Sequence, residues 1–163
     1  MKRPAASASP SSSASSATQL TSFIAKFDAK NARLIRAARR ALSARFPSAN
    51  QLVYDNYNFF VIGFCTTERP SDCMFSIAAQ AKGVSLSFYY GATLPDPDKL
   101  LQGSGNQNRF IRLESEKTLA EPGVTKLLNA ALQQSKSPLP SFGKGRTIIR
   151  SVSAKQRPRR NPA

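Results

Sequence analysis

Lys82-Gly83-Val84-Ser85-Leu86-Ser87-Phe88-Tyr89 decides the fold class: after a Lys-Gly turn, apolar and small polar residues alternate strictly. A period of two places Val84, Leu86 and Phe88 on one side of an extended chain and the serines on the other, as in a strand with one buried and one wetter face. Antiparallel sheets commonly have that asymmetry. Upstream, Leu52 to Phe64 and Met74 to Gln80 are rich in aromatic and branched residues and are linked by Glu68, Arg69, Pro70 and Asp72, which predicts a hairpin of two strands. Downstream, Pro95 and Pro97 lie in a loop that leads into Phe110-Ile111-Arg112-Leu113 as a last strand.

Helices bracket these strands. Phe23, Ile24 and Phe27 share one helical face, and Leu34, Ile35, Ala38 and Leu42 share a second. Asp28 is placed to cap the second helix, which should stop near Phe46 because Pro47 disfavours the α conformation before it. Arg33, Arg36, Arg39, Arg40 and Arg45 give that helix a basic outer surface. Val124, Leu127, Leu128, Ala131 and Leu132 form an apolar stripe on a C-terminal helix. The expected architecture is a single compact α+β domain over residues 19–135, with an antiparallel sheet of about five strands packed on N- and C-terminal helices.

The flanks differ in composition. Residues 1–18 are nearly all Ser, Ala and Pro, and residues 136–163 are rich in Pro, Ser, Gly and Arg, so both are expected to be disordered tails, with part of the second able to dock. The net charge of +15 is concentrated there, since residues 136–163 carry Lys136, Lys144, Arg146, Arg150, Lys155, Arg157, Arg159 and Arg160 and no acid. Basic residues that neutralise phosphates release counterions, so Lys144, Arg146, Arg150, Lys155, Arg157, Arg159 and Arg160 are candidates for weak, sequence-independent contact with nucleic acid or another polyanion. The alternative is a solubilising extension with no specific partner. No apolar run approaches the roughly 20 residues needed to cross a bilayer, and residues 1–18 lack a signal-peptide core, so no membrane partner and a cytoplasmic location are expected.

The sequence has no histidine, which removes the usual general base, the commonest nitrogen ligand and every Ser-His or Cys-His arrangement. No catalytic residue, metal site or cofactor is assigned. Cys65 and Cys73 read as buried thiols rather than half of a zinc site. Asp96 with Asp98, and Glu114 with Glu116, are the only close carboxylate pairs and read as loop caps or solvated edges. Gly103, Gly105, Arg109 and Arg112 could present N–H groups and charge to an anion, but their spacing matches no phosphate motif. Tyr54, Asp55 and Tyr57, with Arg109, could line a small-molecule pocket.

Leu100-Leu101-Gln102-Gly103-Ser104-Gly105, followed by Arg109-Phe110-Ile111-Arg112-Leu113, resembles the YdhG-like family of small domains of unknown function. Phe23-Ile24-Ala25, the helix ending at Phe46-Pro47, Gly83 to Tyr89 and Asn129-Ala130-Ala131 extend the resemblance over Ser22 to Gln134. It implies a compact α+β fold similar to YjbR-like and frataxin-like domains, some relatives being described as intracellular iron chaperones, and it implies no agreed activity. The chain departs from the family pattern at Ala49-Asn50-Gln51, where many members carry a Glu, and at Asn106, where a Lys is common. The resulting expectation is a non-enzymatic binding module with polyanion-contacting tails; an iron chaperone is the alternative, and an enzyme using Asp55, Tyr57 and Arg109 is the third reading.

Overall fold

The computed structural model describes residues 5–162, with side-chain environments from residue 15 onward. Helices α1 (Ala5–Ala25) and α2 (Ala29–Arg45) lead into strands β1 (Asn50–Asp55), β2 (Phe60–Cys65), β3 (Cys73–Gln80), β4 (Gly83–Phe88) and β5 (Arg109–Leu113). Helix α3 (Pro122–Gln133) and strand β6 (Thr147–Val152) follow. The sheet order is β5-β4-β3-β2-β1-β6. Strands β1 to β5 form an antiparallel meander, and β6 returns to lie parallel to β1 at the far edge.

The alternation in β4 has the expected effect: Val84, Leu86 and Phe88 are fully buried, while the Ser87 hydroxyl on the other face bonds the Asn108 side chain at 2.8 Å. Equivalent positions of β2 and β3 supply Phe60, Ile62, Phe64, Phe75 and Ile77 to the same core, which the three helices cover. Phe64 and Phe75 stack across the strands at 5.8 Å, and Phe88 continues the row at 6.4 Å from Phe75. Each fully buried phenylalanine contributes on the order of 1.5–3 kcal/mol. Asp28 caps α2 by accepting the Asn31 N–H at 2.8 Å, and the helix ends at Phe46 as Pro47 requires.

Three expectations change. The run from Leu52 to Phe64 is not one strand but the hairpin β1–β2, broken by Asn56 to Phe59, where the Asn56 N–H bonds the Phe59 carbonyl at 3.0 Å. Asp and Asn favour such a turn by bonding their own backbone, a tendency the neighbouring aromatics hide in the sequence. Within the stretch expected to be a disordered tail, Thr147-Ile148-Ile149 is instead a branched run that completes a six-stranded sheet, and Ile149 packs on the core. At the other end, residues 1–4 lie outside the described residues, and α1 begins upstream of the boundary expected at residue 18. Ser15, Ala17 and Thr18 are exposed, and the first core residue of α1 is Leu20.

Beyond β6 the chain clasps one end of the sheet. The Ser153 N–H and the Gln156 side chain both donate to the Asp55 carbonyl, at 2.9 and 2.7 Å. Arg159 then enters the protein, and its guanidinium reaches the Asp55 carboxylate at 2.8 Å and the Asn56 carbonyl at 2.6 Å, beside the Phe27 ring. Lys26 reaches the other Asp55 oxygen at 2.8 Å. Burial pushes the Asp55 carboxyl up, but the hydrogen bonds from Lys26, Arg159 and Gln156 outweigh it and hold the group below the ordinary aspartate value. Arg160 donates to the carbonyl of Ala25, the last residue of α1, and to that of Lys26 just beyond it, neither of which is reached by a later helical N–H.

Candidate nucleic-acid interface

Helix α2 turns Leu34, Ile35, Ala38 and Leu42 into the core, so the intervening arginines face outward. Arg36, Arg39, Arg40 and Ser43 recur at the spacing of one helical face and form one wall of a long open groove of 1440 Å³. Its opposite wall is β6 with the segment before it, Lys144 to Ile149, and α1 contributes Leu20 and Ile24. Gly145 makes this approach possible. Its N–H bonds the Pro47 carbonyl at 2.9 Å, and a Cβ there would overlap the Ala49 carbonyl.

Arg39 sits half-buried in the groove. Its Nε donates to the Gln51 Oε1 at 2.7 Å and its Nη2 to the Thr147 Oγ1 at 3.3 Å; Gln51 is in turn fixed by donating to the Ser43 hydroxyl at 3.0 Å. All these partners are neutral. Burial pulls the Arg39 pKa down from the usual arginine value, and a guanidinium is not deprotonated in proteins, so the group presents a cation to the groove. Among the described residues no Asp or Glu lines the groove; Arg146 alone of its basic residues has a carboxylate partner, the exposed Glu68 at 2.7 Å. A pair that exposed is weak and readily exchanged. The walls carry no aromatic ring, so the surface provides charge and fork-shaped donors but no platform for base stacking.

The other sequence candidates disperse. Asp55 lies at the end of β1, level through successive partners with Leu113 at the end of β5, whereas Arg109 begins β5. Four strand spacings of about 4.8 Å and the length of β5 separate them, so Tyr54, Asp55, Tyr57 and Arg109 form no common pocket. Tyr57 is exposed under the Arg157 guanidinium, 5.5 Å from its ring. Arg109 turns onto its own loop, donating to the Gly105 and Asn108 carbonyls at 2.7 and 2.8 Å, while Arg112 folds over Gly83, so Gly103, Gly105, Arg109 and Arg112 do not converge on an anion seat. Both Asp96 carboxylate oxygens accept loop N–H groups, from Leu100 and Leu101 at 2.9 Å. Among the described residues no three His, Cys, Asp or Glu side chains gather as a metal site.

Of the basic C-terminal residues, Lys144 and Arg146 line the groove, whereas Arg157, Arg159 and Arg160 are engaged by the clasp. Arg150 leaves β6 beside Tyr54, and Lys155 is exposed. A smaller cavity of 190 Å³ next to Asp72 and Tyr90 is below the usual size of a ligand site, and its polar groups bond one another, Tyr90 to the Ser71 carbonyl and Thr93 to Gln134. Among the described residues no helix is long and apolar enough to cross a membrane. Comparisons with protein-family models, curated proteins and solved structures find no match to this chain.

Proposed function

We propose that the protein is a non-enzymatic, sequence-independent nucleic-acid-binding module whose contact surface is the groove between α2 and β6. The observation that carries this reading is Arg39, a half-buried guanidinium held by neutral partners in a groove whose other charged lining residues are Arg36, Arg40, Lys144 and Arg146. An arginine oriented in that way presents its remaining donors to phosphate without first breaking an ion pair. Because no aromatic lines the walls, the groove would grip the backbone and leave the bases unread. The same reading takes the chain as a YdhG-like domain, on the motifs at Leu100–Gly105 and Arg109–Leu113.

Fluorescence anisotropy with labelled DNA duplexes and RNA of several sequences, repeated across a salt series, tests it. Arg36→Ala/Arg39→Ala/Arg40→Ala should weaken binding equally for every sequence and flatten the slope of log K against log salt by about one per lost phosphate contact. A variant losing the same charge elsewhere, Lys82→Ala/Arg112→Ala/Lys117→Ala, should keep the wild-type slope. Equal losses in both triple variants would mean that net charge, and not the groove, drives association.

A further inference from the structure

Cys65 ends β2 and Cys73 opens β3, directly opposite in the ladder. The Thr66 N–H bonds the Asp72 carbonyl at 3.2 Å, joining the residue after Cys65 to the residue before Cys73. In an antiparallel ladder a bond in that position flanks a non-hydrogen-bonded pair, in which Cα atoms stand about 4.5 Å apart and side chains come closest. That separation is within the range a disulfide spans without backbone movement.

A bulge brings the two sulfurs to one face. Phe64 pairs with Phe75 but Cys65 pairs with Cys73, so Met74 is an extra residue in β3. Without it, Cys73 would share the helix-facing side of Phe75; with it, Cys73 turns to the opposite face alongside Cys65, the re-aiming a bulge commonly causes. Gly63, two residues before Cys65, leaves the space they share: a Cβ on Gly63 would lie 3.1 Å from the Cys73 Sγ and 3.9 Å from the Cys65 Sγ. Cys65 is buried, while Cys73 is partly open to solvent. Hydrogen bonding with the Cys73 thiol, reinforced by burial, pushes the Cys65 thiol up, and the nearby Arg150 charge opposes that. Neither cysteine has a role in the groove, so this site stands apart from the nucleic-acid reading.

We propose that Cys65 and Cys73 form an oxidative modification site, a cross-strand dithiol that closes to a disulfide when a hydroperoxide reaches Cys73, the less buried of the two. The Cys73 thiolate attacks the terminal peroxide oxygen, the O–O bond breaks, and the departing oxygen leaves as water or alcohol after taking a proton; Cys73 becomes a sulfenic acid. The Cys65 sulfur then attacks the Cys73 sulfur and expels hydroxide, which takes the Cys65 proton and leaves as water. The two sulfurs together lose two electrons and the peroxide gains them.

The full chain should be treated with hydrogen peroxide, quenched, alkylated in urea, and measured by intact mass and peptide mapping. The expected result is joint loss of both alkylatable thiols, a peptide pair linking Cys65 to Cys73 within one molecule, and full recovery with dithiothreitol. In Cys65→Ala the reaction should stop at the Cys73 sulfenic acid, trapped by dimedone. The proposal is overturned if wild-type Cys73 oxidises while Cys65 remains alkylatable, if the disulfide joins two molecules, or if both thiols survive. The wild-type measurement decides the matter even where the variant folds poorly.

Discussion

Asp55→Asn should lower the unfolding free energy by about 3–5 kcal/mol, read as a shift of the urea midpoint at constant slope. The substituted side chain keeps its shape but loses its charge, and Arg159, 4% exposed and enclosed by the end of the sheet, keeps a cation with no anion opposite it. Lys26 is 42% exposed along its side chain and can turn to water, so its share of the loss is small. The buried arginine governs the size of the effect. Adding Arg159→Met to Asp55→Asn should recover much of the stability, because the second change removes the uncompensated charge instead of adding damage. A single variant within about 0.5 kcal/mol of wild type would refute the assignment. The pH dependence has a fixed sign. The folded-state pKa of Asp55 is below its unfolded value, near 3.9, so the contribution is complete above that pH and is lost as pH falls through the folded value. Asp55→Asn should therefore lack this part of the acid transition.

Removing residues 136–163 should abolish cooperative folding, in contrast to what removal of a disordered tail would do. The deletion takes β6 from the sheet, leaves the β1 edge open and strips Asp55 of Arg159. Loss of the buried partner costs about 3–5 kcal/mol. Ile148 and Ile149, both half-buried, add on the order of 1 kcal/mol each. The total is comparable to the 5–15 kcal/mol that typically holds a domain together. Thermal melts followed by far- and near-UV circular dichroism of residues 1–135 should show no sharp transition. A sharp melt close to that of the full chain would make β6 and its clasp accessory. Point substitutions in the groove are thus the valid test of binding, since loss of binding on truncation would report unfolding.

Much of the fold was legible where a single period carried the information. Val84 to Phe88 alternates without interruption, and the stripe from Val124 to Leu132 is complete, so a strand and a helix follow directly from spacing. The β1–β2 turn was hidden because Tyr57 and Phe59 continue an aromatic run through it. Strand β6 was hidden because its short branched run sits among prolines, glycines and arginines that dominate the average composition. The site was harder still. The basic face of α2 could be read from spacing, but its opposing wall comes from the other end of the chain, and only the sheet order brings them together. For the same reason Asp55 and Arg159 looked like a pocket acid and a tail base, each sensible in its local surroundings and neither revealing its partner.

The parallel return of β6 also orders events in time. Strands β1 to β4 pair with sequence neighbours and can assemble early, whereas the bond from Arg159 to Asp55 closes a loop of 104 residues. Closing a loop that long costs more chain entropy than forming a hairpin, so the clasp is expected to form late, after the folding transition state. Substitutions in it should then leave the refolding rate nearly unchanged and accelerate unfolding, which makes this segment the one that governs how long a folded molecule survives.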